Sequence, residues 1–155
     1  MTARGIDHVA LPTADAERFL AFYTALGFAV EGEAEWRAGD APIFSIVCGD
    51  QKINVHPEQL AANRGNPAYL RGPTAEPGCG DLCFAWEGGV AALLEHLARA
   101  GVAVITGPVP RVGGRGGGTS VGISVYVRDP DDNLLEFISY EPSDLAEHRD
   151  SGKVH

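Results

Sequence analysis

Basic residues and long apolar runs are both scarce in this sequence, and each scarcity excludes a class of protein. The chain has 12 Lys and Arg against 21 Asp and Glu, a formal net charge of −9. With no basic stripe to displace counterions from a phosphate backbone, nucleic acid is not an expected partner. No run approaches the roughly 20 apolar residues that cross a bilayer, and the first residues lack the apolar core of a signal peptide. We therefore expect a cytoplasmic protein that binds neither nucleic acid nor membrane.

Cysteine is also scarce. Cys48, Cys79 and Cys83 form an odd-numbered set that gives no disulfide framework, and the last two are not in a Cys-x-x-Cys spacing. The simplest interpretation is that all three are buried thiols. At 155 residues the chain can bury roughly 68–70% of the surface that it exposes when unfolded. One domain without covalent cross-links is therefore expected.

The same order of elements occurs twice along the chain. A strand near residues 6–11 is followed by an apolar stripe with helical spacing, by Gly27 and by three short strands that end at His56. From residue 80 the order returns: a strand, a second helical stripe, Gly101 and three strands, predicted at Val102–Thr106, Val121–Arg128 and Leu134–Tyr140. Such internal repetition predicts a duplicated folding unit. We predict one domain, residues 1–141, built of modules 5–56 and 80–140, with a polar tail at 142–155.

Two segments interrupt this repeat. The connector Pro57–Cys79 separates the modules, and Gly107–Thr119 contains Arg111, Arg115 and three consecutive glycines. The second segment has neither the lysine of a P-loop nor the G-x-G-x-x-G spacing, so it does not predict a nucleotide site. It is either a flexible lid or a slack loop.

A hairpin late in the chain carries the most distinctive chemistry. Its turn, Asp129–Asn133, has a proline that restricts φ and side chains that bond to nearby backbone groups. In the strand that follows, Leu135 and Phe137 share one face and Glu136 lies on the other. A carboxylate among aliphatic side chains loses hydration unless a cation or a hydrogen-bond donor meets it.

Alignment of the two modules places polar residues at equivalent strand positions. His8 aligns with Asp81 and Asn54 aligns with Glu136, while His56 lies one pleat further along the same face. If both modules enclosed one cavity, these side chains would converge there. Two carboxylates brought together repel each other and lose hydration, and a divalent cation relieves both effects. We therefore predict that His8, Asp81, Glu136 and His56 bind a metal.

Each of these residues also has a purely structural interpretation. His8 could be a hydrogen-bonded histidine of a strand, and Asp81 could cap the turn after Gly80. His56 could lie in solvent at a strand end, and Asn54 could bond to the backbone. Their joint occurrence at equivalent positions favours the metal site.

The chain resembles the vicinal oxygen chelate superfamily, which comprises glyoxalases, bleomycin-resistance proteins and dioxygenases. The resemblance runs from about Ile6 to Tyr140 and rests on the paired modules and on three motifs: Asp7-His8-Val9-Ala10-Leu11, Phe22-Tyr23…Leu26-Gly27-Phe28 and the hairpin Arg128–Glu136. It is most similar to the glyoxalase-domain-containing protein 5 branch through three further segments: Gly49–Pro57, Asp81–Phe84 and Gly107–Arg111. The resemblance implies an α+β fold of two tandem βαβββ modules. Their strands would form a curved, open, barrel-like eight-stranded sheet with helices outside, in a homodimer.

His8 and Glu136 match the first and last metal ligands of that family, but other positions depart from it. Asp81 stands where many members carry a second His, and Asn54 stands where glyoxalase I carries a Glu. The usual turn glycine is Asp132, which accepts a left-handed conformation less readily. The missing carboxylate argues against strict glyoxalase I activity.

The resemblance implies a glyoxalase-like enzyme of the lyase or isomerase type. A divalent ion (Zn, Ni, Mn, Fe or Mg) would chelate a small substrate with vicinal oxygens and stabilise an enediolate-like anion. Glu136 and His56 would be catalytic, with His56 as a fourth ligand or as the base. Substrate binding is assigned to four residues: Asn54, Tyr126, Arg128 and Arg111.

Two other functions are compatible with the sequence. An extradiol-type dioxygenase would need His56 rather than Asp81 to complete the metal site, because that chemistry uses iron with two histidines and a carboxylate. A metal-free, resistance-type protein would instead sequester a drug or metabolite. The modules could pair within one chain or across a dimer.

Overall fold

The structure is a computed structural model that describes residues 2–3, 5–61, 66–67 and 70–151. Parts of the connector (62–65 and 68–69) and of the tail (152–155) lie outside the described residues. Contacts divide the chain into two compact units. Unit 1 comprises Met1–Gly80 with Pro130–Asn133, and unit 2 comprises Asp81–Asp129 with Leu134–His155.

Unit 1 contains a four-stranded mixed sheet. Its strands and helices are β1 (His8–Pro12), α1 (Ala16–Ala25), β2 (Ala29–Glu31), α2 (Glu33–Ala38), β3 (Phe44–Cys48), β4 (Gln51–His56) and α3 (Glu58–Ala61). The strand order is β1-β4-β3-β2. The first strand pairs in parallel with the last, and the other pairs are antiparallel.

Helix α1 forms where the helical stripe predicts it. The Asp15 side chain caps the helix by accepting a hydrogen bond from the backbone N–H of Arg18, 3.0 Å away. Gly27 follows the helix with φ at +83°, the left-handed conformation in which glycine is least strained. The helix buries four residues of the apolar stripe: Ala16, Phe19, Leu20 and Tyr23.

Unit 2 repeats the order. It consists of β5 (Asp81–Trp86), α4 (Val90–Arg99), β6 (Val104–Val112), α5 (Arg115–Gly118), β7 (Val121–Arg128), β8 (Leu134–Ser139) and α6 (Pro142–Ser151). The strand order is β5-β8-β7-β6, and β5 and β8 are parallel. The α+β class and the repeated βαβββ order are confirmed, with the eight strands in two four-stranded sheets. None of the helices in the described part of the chain is long and apolar enough to cross a bilayer.

About half of the segment Gly107–Thr119, which was predicted as a lid or a slack loop, belongs to strand β6. Strand β6 continues to Val112 instead of ending at Thr106, because Val109 to Val112 pair with β7. Pro108 and Pro110 obscure this strand in the sequence, yet β6 is the edge of its sheet, where a missing N–H is tolerated. Arg111 therefore belongs to a strand, and only the short helix α5 remains of the predicted loop.

The polar tail contains a helix that its composition does not indicate. Asp144 of α6 accepts hydrogen bonds from the backbone N–H of Val90, at 3.1 and 3.2 Å, and from the hydroxyl of Ser139, at 2.5 Å. Helix α4 begins after Gly89, which has no side chain to cap it. Asp144 supplies the missing acceptor, and its negative charge suits a helix N-terminus.

The hairpin turn between β7 and β8 belongs to unit 1 by its contacts. The Asp131 side chain accepts from the backbone N–H of Ala14 at 3.0 Å. The buried Asn133 Oδ1 accepts from the backbone N–H of Gly80 at 2.6 Å. Within the described residues, Asp132 is the one non-glycine with positive φ, at 68°. It therefore adopts the left-handed conformation expected at this position.

Replacing Asp132 by valine should destabilise the protein, because a β-branched residue at this φ is strained. We expect Asp132→Val to lower the free energy of unfolding by about 1–2 kcal/mol. Asp132→Gly should stay within about 1 kcal/mol of the native protein, since relief of strain opposes the greater freedom of the unfolded chain. Urea unfolding measures both. A valine variant as stable as the native protein would contradict the assignment of strain.

Candidate functional site

The strand registers reproduce the predicted alignment of the two modules. In unit 1, Ala10 lies opposite Asn54 on the neighbouring strand. In unit 2, Cys83 lies opposite Glu136 in the same parallel arrangement. Each unit therefore presents a polar face at the same place in its own sheet.

Glu136 is the centre of the polar face in unit 2. It is half-buried in β8, and its Oε1 accepts a hydrogen bond from the buried Ser124 hydroxyl at 2.5 Å. The Cys83 thiol and the Tyr126 hydroxyl are also hydrogen-bonded to this carboxylate. We call these four residues and Arg111 the Glu136 cluster. Its carboxylate is held in place by neutral donors.

Arg111 extends the cluster. Its Nε donates to the Tyr126 hydroxyl at 3.0 Å, and its guanidinium lies 5.6 Å from the centroid of that ring. Burial raises the pKa of Tyr126, while the hydrogen bond from Arg111 opposes that rise. The Tyr126 hydroxyl therefore stays protonated at neutral pH and can donate a hydrogen bond to Glu136. A chain of hydrogen bonds joins Arg111 to the carboxylate.

Cys83 is a donor in this cluster and is not poised as a nucleophile. Partial burial of the thiol group, followed by the negative charge and hydrogen bond of Glu136 and then by the charge of Asp81, raises the pKa of Cys83 to about 12. A thiol with this pKa stays protonated at neutral pH. The prediction that all three cysteines are buried is wrong: Cys79 and Cys83 are exposed and Cys48 is intermediate.

Unit 1 presents a different set of polar groups. The Ser45 hydroxyl donates to Asn54 Oδ1 at 2.9 Å, and Lys52 Nζ lies 3.0 Å from Glu31 Oε2. His8 is exposed, and its Nδ1 lies 2.7 Å from Asp7 Oδ1. The Asn54 carbonyl oxygen, which could have bonded to the backbone, is thus engaged by a serine. The amide –NH₂ group of Asn54 takes no part in this hydrogen bond.

His56, at the end of β4, is half-buried. Burial lowers the pKa of His56, and the positive charge of Arg71 lowers it further. The imidazole is therefore neutral at physiological pH, the form that binds a metal or accepts a proton. Sequence reasoning did not identify Arg71, because it lies in the connector, where no periodicity indicates which side chains are buried.

The structure gathers some of the predicted site residues and leaves the others untested. Arg111, Tyr126 and Glu136 are brought together, and Arg128 lies on the same strand as Tyr126, opposite Leu134. Ser124 and Cys83 belong to this cluster but were not predicted as site residues. The strand alternation could have identified Cys83, since it places this residue on the face of Asp81.

No three His, Cys, Asp or Glu side chains form a group that could hold a metal ion within residues 2–3, 5–61, 66–67 and 70–151. The predicted ligand set of His8, Asp81, Glu136 and His56 stays a prediction. The donors themselves suit a divalent cation, since Glu136 is a carboxylate already oriented by Ser124 and Tyr126. Metal-binding carboxylates are typically held by such outer hydrogen bonds.

Two cavities lie away from the predicted residues. One of about 510 Å³ in unit 1 is bordered by Trp36, Arg37 and Leu60. Another of about 340 Å³ in unit 2 is bordered by Leu94 and Asp144, among others. None of the predicted site residues lines either cavity, so neither cavity is assigned a function.

Comparison with known proteins gives a consistent family. A family model described as the Glyoxalase/Bleomycin resistance protein/Dioxygenase superfamily matches residues 5–137. The glyoxalase domain-containing protein RDO1 of Mycosarcoma maydis is 34% identical over 143 residues, which cover 91% of this chain and 71% of that protein. The virulence protein STM3117 of Salmonella typhimurium is 33% identical over 136 residues, covering 87% and 83%.

Solved structures agree with this result. The crystal structure of STM3117 superposes with a TM-score of 0.74 at 29% identity, covering 91% of this chain and all of that one (100%). A lactoylglutathione lyase from Agrobacterium tumefaciens gives 0.64 at 22% identity, covering 90% and 96%, and so shares the fold. The matches are to the superfamily and do not single out the glyoxalase-domain-containing protein 5 branch.

We expect Cys83 in metal-free protein to react slowly with iodoacetamide despite its exposure. Its pKa of about 12 leaves little thiolate at pH 8. Glu136→Gln removes the negative charge that raises this pKa, so the thiolate fraction and the alkylation rate should both rise. The rise should be partial, because burial, the largest cause, remains.

The rates can be measured by intact-protein mass spectrometry in a Cys48→Ala, Cys79→Ala background. Glu95→Gln is the matched control, since Glu95 lies on the exposed side of α4 and its side chain is 75% exposed. It should leave the rate unchanged. Equal rates in the Glu136→Gln variant and the native protein would show that the carboxylate does not act on the thiol.

Proposed function

Because this chain belongs to the glyoxalase/bleomycin resistance protein/dioxygenase superfamily, we propose that it is a metal-dependent enzyme of the glyoxalase type. It would act as a lyase or isomerase on a small molecule with vicinal oxygens. The observation that carries the proposal is the Glu136 cluster: a half-buried carboxylate oriented by Ser124, Cys83 and Tyr126. Neutral donors leave the carboxylate its negative charge, which is then available to a cation.

The proposed ligands are His8, Asp81 and Glu136, from one chain or from two copies of it. His56 is either a fourth ligand or the base. One imidazole and two carboxylates suit Mn, Mg, Fe, Ni or Zn. When bound, a cation of this kind supplies Lewis acidity to two adjacent substrate oxygens. A cytoplasmic homodimer completes the proposal.

The side chains of this protein supply the remaining functions. His56, kept neutral by burial and by Arg71, can accept a proton from carbon or oxygen. Asn54 cannot replace a carboxylate base, because an amide does not take up a proton near neutral pH. It instead donates through the –NH₂ group that Ser45 leaves available. Arg111 and Arg128, with Tyr126, would bind the substrate through hydrogen bonds.

One observation favours a second function, ring-cleaving dioxygenation. The neutral imidazole of His56 is competent to bind a metal. With His8 and Glu136 it would make the two-histidine, one-carboxylate set that suits non-haem iron. Asp81 would then lie outside the metal site.

Metal analysis of protein purified without a polyhistidine tag tests the proposal. We expect stoichiometric divalent metal in the native protein and a lower thermal midpoint after EDTA treatment. Glu136→Gln should weaken metal binding by at least the roughly 10–100-fold that follows from loss of a supporting partner. Glu95→Gln, which removes an exposed carboxylate of α4, should bind metal like the native protein.

Three results would redirect the interpretation. Absence of stoichiometric metal, with no effect of EDTA on stability, would favour a protein that sequesters a small molecule. Bound Fe²⁺ with oxygen uptake on catechols would favour the dioxygenase. Metal binding that survives in Glu136→Gln would overturn the assignment of Glu136 as a ligand.

A further inference from the structure

The Arg71 side chain is largely shielded from water, although Leu70 and Gly72 on either side of it are exposed. Its side chain is 13% exposed, whereas the adjacent Leu70 is 86% exposed. The segment that follows is held by backbone turns, in which Ala75 N–H donates to the carbonyl of Gly72 at 3.1 Å. An arginine is rarely buried unless its guanidinium is paired.

The Arg71 guanidinium is incompletely paired within unit 1. Nη1 is buried and has no hydrogen-bond partner in the part of the chain that the structure describes. Nη2 lies 4.0 Å from Glu76 Oε1, which is an ion pair too long to be a hydrogen bond. Glu76 is itself 44% exposed, so water weakens its attraction for the arginine. The Arg71 guanidinium therefore retains an unused N–H donor and a positive charge that Glu76 offsets only weakly.

Such an arrangement is unfavourable for folding alone. A buried charged donor without a partner loses its hydration and gains no hydrogen bond in return. Native proteins rarely keep such groups unless they serve a function. The unused nitrogen of Arg71 therefore indicates a ligand atom that completes its hydrogen bonding.

The other side chain at this site is His56. The positive charge of Arg71 acts on its imidazole. Both residues belong to unit 1, and His56 lies at the end of β4. A ligand bound to the Arg71 guanidinium would lie near His56, the proposed base or metal ligand.

We propose that Arg71 binds the anionic group of a small ligand, a carboxylate or phosphate whose oxygen accepts a hydrogen bond from Nη1. Arginine suits this role because its planar guanidinium presents parallel N–H groups to two oxygens of such an anion. The inference rests on the proposed function in one respect: the ligand is taken to be the substrate of that enzyme. The substrate would then carry a negative charge at one end.

The binding test uses the full chain after removal of metal with EDTA, with inorganic phosphate and succinate as separate probes. We expect saturable binding of at least one probe by calorimetry. Arg71→Met, which keeps the apolar stem, should weaken binding at least tenfold, and Arg71→Lys should weaken it less. Arg99→Met is the charge-matched control, because Arg99 is 70% exposed on α4, and it should bind like the native protein.

A thermal unfolding measurement separates this role from a structural one. Without ligand, Arg71→Met should melt at or above the native midpoint, since it removes an unpaired buried donor. The bound probe should raise the midpoint of the native protein and not that of the variant. Equal affinity in Arg71→Met and native protein, or no saturable binding of either probe, would overturn the proposal.

The metal-free design separates this proposal from the proposed enzyme. If the protein proves to bind no metal yet holds a probe through Arg71, the metalloenzyme fails and the anion site stands. If it binds metal through Glu136 but neither probe, only the anion site fails. The two probes also distinguish a phosphate ligand from a carboxylate ligand.

Discussion

The parallel pairing of the first and last strands in each unit is the constraint on which the rest of the structure depends. Parallel neighbours cannot be joined by a tight turn, so each unit must insert a helix and two strands between them. Backbone hydrogen bonds then place His8 beside Lys52 and Cys83 beside Glu136. Polar side chains that are far apart in the sequence are in this way brought onto one face of each sheet.

The two faces share a scaffold and differ in charge. In each unit a serine hydroxyl donates to the polar residue at the equivalent position of the last strand, Ser45 to Asn54 and Ser124 to Glu136. The acceptor is an uncharged amide in one unit and a carboxylate in the other. The last strand therefore presents an amide in unit 1 and an anion in unit 2, each bonded to a serine hydroxyl. Ser45 lies directly opposite Asn54, whereas Ser124 lies two residues from the position opposite Glu136.

The parts of the fold predicted from the sequence are those with strong local signals. Strand β7 was predicted with its observed bounds, Val121–Arg128, because alternation and a proline turn define it. Strand β6 was predicted too short, since its prolines are acceptable only at a sheet edge, which the sequence does not reveal. The contact between Arg111 and Tyr126 depends on that extension and could not be anticipated. The low exposure of the Arg71 side chain has no periodic signature, because Arg71 lies in a connector outside any helix or strand.

The acceptors that Pro130–Asn133 supply to unit 1 make its integrity depend on a distant part of the polypeptide. Asp131 and Asn133 accept from backbone amides 117 and 53 residues earlier. A fragment that ended at Gly80 would leave the amides of Ala14 and Gly80 without these acceptors. The duplicated halves are therefore not interchangeable, separately expressible pieces, and the chain must be synthesised well beyond its midpoint before its first half can complete its own hydrogen bonds.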